Sequence, residues 1–378
     1  MKIAYLNTLG IPARYGGFET CVEEVSTRLA RKGHNVTVYC SSQSIPNHSM
    51  YKGVTLINVA RRSNKFLDYP SRSMLSTLDA MGRDFEILHY FGTDSSIFTL
   101  LPRILRRKTV ISLDGLTWNR SSYPQWVRIA LRASSWLPLY LPHAAVVDSL
   151  YVQRWYATTF GRAPFYVPYG AESSLRGADA EVLKKYRVGN DEYVLFVGRL
   201  VPEKGVHYLV QAFNALGKQL GFKLIIVGRD PYNSGYESSL RKMAGDSVIF
   251  VGYVYGSDIE NLYKGAYLYV TASELEGTSP ALLSAMGFGN CVLASNIPEN
   301  LETIGDAGVT FRNKDVCDLR EKMVQLLSSP DVVENYRRRA VKRVAEFYSW
   351  DSVAERMEQL YLWVTGKHSN VQPYMHAT

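Results

Sequence analysis

The sequence predicts an α/β protein of two Rossmann-like domains, and three observations carry that prediction. Short Val/Ile/Leu/Tyr runs alternate with amphipathic stretches from start to finish, the pattern of mostly parallel sheets with helices on both faces. The 378 residues exceed what one core fills, since single hydrophobic cores stop growing beyond roughly 250–300 residues. The alternation also restarts: after the polar stretch 172–192 a second series of strand-like runs begins.

The first series reads as strands at 2–7, 35–40, 54–59, 86–91, 109–114, 144–149 and 165–168. Between the first two, Val22, Val25 and Leu29 share one helical face, and Gly33 is the stop signal. Arg28, Arg31 and Lys32 occupy the last turn of that helix, where the dipole favours cations. The second series places strands at 193–198, 222–228, 248–254, 266–273, 290–296 and 308–311. Its helices fall at about 205–217, 237–243, 258–264, 280–288, 315–328 and 331–347. The expected division is residues 1–172, residues 173–348 and a tail at 366–378. A last helix at 349–365 returns to the first domain with a Trp/Leu/Tyr face.

Composition narrows the class. At 46% hydrophobic and 21% charged, with no biased tract, the chain is that of a folded protein. Cys21, Cys40, Cys291 and Cys317 lie far apart without zinc-type spacing, which points to a reducing compartment. The N-terminal MKIAYLNTLG reads as a first strand rather than a signal peptide, and no apolar run reaches the ~18 residues of a membrane span. The +8 charge is lopsided: residues 1–172 hold 20 Lys and Arg against 11 Asp and Glu, and the remainder 23 against 24. The first half therefore faces something anionic.

Three loops carry the chemistry. Gly16-Gly17, directly after the first strand and opening a helix, lets backbone amides approach an anion. It is not GxGxxG, and no acidic ribose clamp follows, so a dinucleotide cofactor is disfavoured. GRLVPEKG (198–205) sets Gly198, Arg199 and Lys204 on a turn after a strand, and a guanidinium plus an ammonium suits a diphosphate. In ELEGTSPALLSAMGFGN (274–290), Ser279 and Pro280 read as N-cap and first helical residue. The amides of Ala281 and Leu282 would then point outward beside Gly277 and Thr278, with Glu276 ahead to accept from sugar hydroxyls. No Asp-x-Asp occurs, so no metal is expected; cations and helix amides would meet the phosphate charge.

On these motifs the chain resembles a retaining GT-B glycosyltransferase of family GT4. Its opening, IPARYGGFET…VEEVSTRLARKGHNVTVYC, is similar to the bacterial polysaccharide subgroup containing L-rhamnosyltransferases. The resemblance implies two domains facing across a cleft, no cofactor besides a nucleoside-diphosphate sugar donor, and transfer with retention. It implies donor contacts from Arg199, Lys204, Gly16 and Gly17, and a sugar contact from Glu276, first residue of the family's E-x7-E. The second Glu of that motif is Ser284 here; a neutral hydroxyl cannot grip ribose as a carboxylate does, at a cost of about 1–3 kcal/mol. Where many members carry His-Asp, this chain reads Leu113-Asp114-Gly115. Asp114 remains as a catalytic-side polar group, and His89 resembles a strand-end histidine of the subgroup.

The stretch 116–143 mixes Trp118, Trp126, Trp136 and Tyr140 with Arg120, Arg128 and Arg132, a composition suited to a membrane interface. Arg14 and Tyr15 in the glycine loop join this acceptor side, and Arg61, Arg62, Lys65 and Phe66, then Arg103, Arg106, Arg107 and Lys108, extend it. A lipid-linked saccharide acceptor on the anionic inner face of the cell membrane would account for the charge asymmetry. Nucleic acid is not expected, because no reading module accompanies the basic residues. A sugar-nucleotide epimerase and a non-catalytic partner subunit of a membrane glycan assembly stay open as alternatives, as does a homo-oligomeric state.

Overall fold

The computed structural model describes residues 1–13, 16–41, 49–59, 65–119, 123–174, 177–217 and 221–367, with only the backbone for 65–68. The chain divides into two compact units. One holds Met1–Trp118, Pro124–Tyr169 and the segment from Trp350; the other holds Gly170–Ser349 with Asn119–Tyr123.

The first unit is built on β1 (Lys2–Leu6), β2 (Asn35–Cys40), β3 (Met50–Tyr51), β4 (Val54–Asn58), β5 (Ile87–Phe91), β6 (Lys108–Ser112), β7 (Ala144–Val147) and β8 (Phe165–Tyr166). They form one sheet in the order β3-β4-β2-β1-β5-β6-β7-β8. Every pairing is parallel except the short β3–β4 edge. Its helices are α1 (Gly17–Arg31), α2 (Lys65–Met81), α3 (Leu100–Ile104), α4 (Gln125–Ala133), α5 (Leu137–Tyr140) and α6 (Leu150–Phe160). The inner strands are buried along nearly their whole length, as expected of parallel strands covered on both faces.

The second unit begins with α7 (Ala180–Lys185) and alternates β9 (Tyr193–Val197), α8 (Val206–Asn214), β10 (Lys223–Val227), α9 (Tyr236–Met243), β11 (Val248–Gly252), α10 (Ser257–Gly265) and β12 (Leu268–Thr271). There follow α11 (Pro280–Gly287), β13 (Cys291–Ser295), α12 (Pro298–Ile304), β14 (Val309–Phe311), α13 (Val316–Leu327) and α14 (Pro330–Phe347). The all-parallel sheet runs β11-β10-β9-β12-β13-β14. In both sheets the order of strands reverses once, between β1 and β5 and between β9 and β12. At such switch points the loops leaving the strands diverge and open a crevice for ligands.

The last helix, α15 (Trp350–Thr365), belongs to the first unit. Trp350, Val353, Ala354, Met357, Leu360, Tyr361 and Val364 recur at helical spacing and are all buried. They pack in one core with Cys21, Val22, Val25 and Leu29 of α1. Arg28 pairs with Asp351 (2.7 Å), while Lys32 and His34 both reach Glu358 (2.6 Å each). The division falls at Tyr169/Gly170, three residues before the sequence-based boundary, and returns at Ser349/Trp350.

The sequence reading places no helix at α2, α3, α6, α7 or α12, and two of these show why. α2 carries Pro70 inside it, which as a sequence signal argues against a helix. α12 is seven residues long and begins with Pro298, too short for an apolar stripe to repeat. The stretch 116–143 is not one helix but a 3₁₀ turn at Thr117–Asn119 followed by α4 and α5.

Candidate functional site

In the second unit, the loops after β9 and β12 leave the sheet on either side of its switch point and are joined to each other. Gly205, at φ +62°, allows the closest approach: a Cβ there would lie 2.0 Å from the carbonyl oxygen of Ala272. The Glu274 amide donates to the carbonyl of Glu203 at 2.8 Å. Across this contact Lys204 forms an ion pair with Glu276, both side chains largely buried. Ser273 Oγ donates to the same Oε1 of Glu276 at 2.6 Å, and Ser295 Oγ donates to the carbonyl of Ser273 at 2.5 Å. Asn300 closes the chain, its Nδ2 donating to the Ser295 carbonyl and hydroxyl at 3.1 and 3.0 Å. Glu276 is thus fixed from two sides. Arg199, half-buried one residue beyond Gly198, has no ion-pair partner among the described residues.

Helix α11 starts as its sequence signals direct, with Ser279 at the N-cap in extended backbone and Pro280 at the first helical position. One expectation is corrected here. The Leu282 amide does not point outward: it donates to Ser279 Oγ (3.4 Å), and Leu282 is fully buried. The Ala281 amide has no partner among the described residues. Thr278 and Ser279 are buried and Gly277 is half-buried beside Glu276. Ser284, one turn into α11, is half-buried.

A second carboxyl lies near this cluster that motif reading missed. Glu299, in the first turn of α12, is 3% exposed. Burial pushes its pKa up to about 7, and the charges of Glu276 and Glu302 push the same way. The available signal was a Pro-Glu pair directly after a buried strand.

In the first unit, the loop after β1 is held by carboxylates of α1. Glu19 Oε1 accepts from the Leu9 amide at 3.0 Å, and Glu23, one turn on, accepts from the Ala13 amide (2.6 Å) and the Tyr51 hydroxyl (2.6 Å). Gly16, at φ +94°, caps the helix, and a Cβ there would lie 2.3 Å from Glu19 Oε2. The ground beside Gly16 and Gly17, where an anion was expected, therefore already faces a carboxyl. Burial, with a contribution from Asp114, raises the pKa of Glu19 and favours its neutral form. Asp114 itself is half-buried two residues past β6. Arg14, Tyr15, Arg61, Arg62 and Arg120 lie outside the described residues, as do the side chains of Lys65 and Phe66.

His89 is structural. Its Nε2 meets Ser112 Oγ at 2.9 Å and its Nδ1 meets the Tyr361 hydroxyl at 2.6 Å, and that hydroxyl donates on to Tyr5 at 3.0 Å. A Tyr361 oxygen whose own proton goes to Tyr5 accepts from Nδ1–H. Burial pushes the imidazole pKa down to about 3, so it is neutral. Trp118, expected on the acceptor side, is instead a core residue: it is 4% exposed and sits 4.8 Å from the Trp155 ring. Trp126 and Trp136 are exposed as expected, as are Arg128 and Arg132. Among the described residues no three His, Cys, Asp or Glu side chains are grouped to hold a metal, and no helix is long and apolar enough to cross a membrane.

With two switch-point sheets and this loop cluster in place, comparison with known proteins gives the class. Residues 15–170 match the model of Glycosyltransferase Family 4, and residues 179–360 that of Glycosyl transferases group 1. The GDP-mannose-dependent alpha-(1-6)-phosphatidylinositol monomannoside mannosyltransferase of Mycobacterium tuberculosis is 25% identical over 94% of this chain and 97% of its own. The O-antigen chain mannosyltransferase B of Escherichia coli is 28% identical over 48% of each chain. Among solved structures, sucrose-phosphate synthase from Thermosynechococcus elongatus superposes with a TM-score of 0.82, at 20% identity, over 97% of this chain and 99% of its own. The protein is a glycosyltransferase of the two-domain GT-B fold. Because its halves match those two models in turn, it is of the GT4 type.

Proposed function

We propose that the enzyme transfers a sugar from a nucleoside-diphosphate donor to a lipid-linked glycan in surface polysaccharide assembly, with retention of configuration, at the inner face of the cell membrane. The observation that carries this reading is the Arg199, Lys204 and Glu276 cluster at the switch point of the second sheet. Arg199, with no ion-pair partner among the described residues, and Lys204, which also pairs with Glu276, are the cations for a diphosphate, and the Ala281 amide adds a donor at a helix start. As the bond from the anomeric carbon to the diphosphate oxygen breaks, negative charge grows on that oxygen, and fixed cations favour that state most. Glu276, already held by Ser273, keeps one carboxylate oxygen for a sugar hydroxyl. The acceptor hydroxyl attacks the anomeric carbon and its proton passes to the leaving phosphate, so the step needs no metal.

L-rhamnose, delivered as the dTDP sugar, is the first donor to test, on the likeness of the opening segment to the rhamnosyl subgroup. The mannosyl relatives make GDP-mannose the second. A glycolipid acceptor is supported by the phosphatidylinositol mannoside named for one relative. The test is a thermal-shift screen with nucleoside diphosphates and their sugars, repeated on Lys204→Ala and Arg199→Ala. Wild type should be stabilised by one sugar nucleotide and both variants should lose that shift and turnover while keeping the wild-type circular dichroism. Near-normal turnover in either variant would remove the donor assignment, and consumption of the donor without acceptor would favour epimerisation.

A further inference from the structure

We infer that α3 and the α4–α5 segment form a docking surface that rests on an anionic lipid bilayer. The inference deepens the lipid-linked-acceptor reading by naming the surface that brings the enzyme to its acceptor. It stands on what these helices leave unburied. None of the nine residues of α4 is buried: Trp126 is 73% exposed and Ile129 61%. At 100° per residue Trp126, Ile129, Ala130 and Ala133 share one stripe about 100° wide. Val127 and Leu131, half-buried, turn toward the body of the unit, Arg132 lines the flank of the stripe beside Ile129, and Arg128 lies further round, its Nε donating to the Trp118 carbonyl at 2.7 Å.

α3 adds exposed apolar side chains of its own: Ile104 is 66% exposed and Leu105, just past the helix, 54%. The two parts are tied together, since Arg103 Nη1 donates to the carbonyls of Leu141 and Pro142 at 2.9 and 2.5 Å. Arg106 stands exposed beside them. Between residues 97 and 143 the sequence holds seven Arg and Lys and one acidic residue, Asp114. A second copy of the chain laid on this face would bring like charges together. A bilayer with anionic headgroups takes both components, with tryptophan and isoleucine at the acyl boundary and arginines at the phosphates. At 1.5 Å per residue, α4 is about 13 Å long and lies in the plane of the surface.

The test uses the whole enzyme and vesicles of phosphatidylcholine, with or without one-third phosphatidylglycerol, in a sedimentation assay. Wild type should bind only the anionic vesicles and be released by near-molar salt, where the screening length falls to about 3 Å. Trp126→Ser with Ile129→Ser should weaken partitioning by about 10-fold or more. Arg106→Gln with Arg132→Gln should weaken it on the order of 25-fold, at about fivefold per arginine removed. Because these side chains are exposed, all four substitutions should leave the circular dichroism and the sugar-nucleotide thermal shift unchanged, which separates this inference from the donor assignment. Failure of wild type to bind anionic vesicles would overturn the inference. So would equal binding to neutral vesicles, binding unaffected by either pair of substitutions, or a dimer in sedimentation velocity that Trp126→Ser dissolves.

Discussion

Glu299 offers the sharpest quantitative check on the donor-side structure. Its carboxyl is buried in the first turn of α12, and its pKa is raised from 4.5 to about 7. A raised folded-state pKa means that the native protein holds this proton more tightly than the unfolded chain. Stability from this group is therefore intact below pH 4.5 and is lost as pH climbs to about 7. A shift of about 2.5 pH units at roughly 1.4 kcal/mol each makes the loss about 3 kcal/mol. Glu299→Gln keeps the shape and removes the ionisation. Urea unfolding of the two proteins, followed by circular dichroism at pH ~5 and ~8, should show the glutamine form ahead by under ~1 kcal/mol at the lower pH and by about 3 kcal/mol at the higher. The same ionisation adds negative charge near Glu276, so donor KM should rise through neutral pH in wild type and stay flat in the variant. A stability difference that does not change with pH would refute the reasoning, because it would mean that Glu299 carries no proton that folding holds.

Ser284→Glu should tighten donor nucleotide binding by about 5-fold or more if the ribose lies beside α11, since a carboxylate adds a charge-assisted bond worth about 1–3 kcal/mol; calorimetry reads this directly. Tyr361→Phe removes the hydroxyl shared by His89 and Tyr5 and strands a buried ring nitrogen, so chemical denaturation should show a loss of about 1–3 kcal/mol. Glu19→Ala frees the Leu9 amide; steady-state kinetics should show a raised KM at little-changed thermal stability if the loop after β1 closes on substrate.

The strands and the loops that follow them were legible because their physics is local. A parallel strand covered on both faces must be apolar along its length, as in YVLFV and KLIIV, and Gly, Pro and an N-cap serine mark where the chain turns out of the sheet. Arg199, Lys204 and Glu276 could be singled out because each sits just past such a strand. What sequence spacing does not carry is contact between distant residues. Nothing in GGFET says that Glu19 folds back on the Leu9 amide, or that Glu299 comes to lie where the charge of Glu276 is felt. Trp118 was misassigned because a run of tryptophans and arginines does not say which ring turns inward. Ring packing against Trp155 decided it. The Ala281 and Leu282 amides divided for a similar reason: one N-cap hydroxyl satisfies one donor, and its direction is set by rotamer rather than by sequence.

The way α15 is built into the first unit bears on how the protein is made. Its buried stripe completes the core that α1 begins, and the hydroxyl of Tyr361 finishes the hydrogen bonding of His89. During synthesis the second unit, Gly170–Ser349, is therefore made before the helix that closes the first. The donor half can reach its native state first, and the half made earliest is finished last. Until α15 is made, Val22, Val25 and Leu29 lack the helix they pack against, and uncovered apolar surface of this kind is what makes an unfinished chain prone to aggregate.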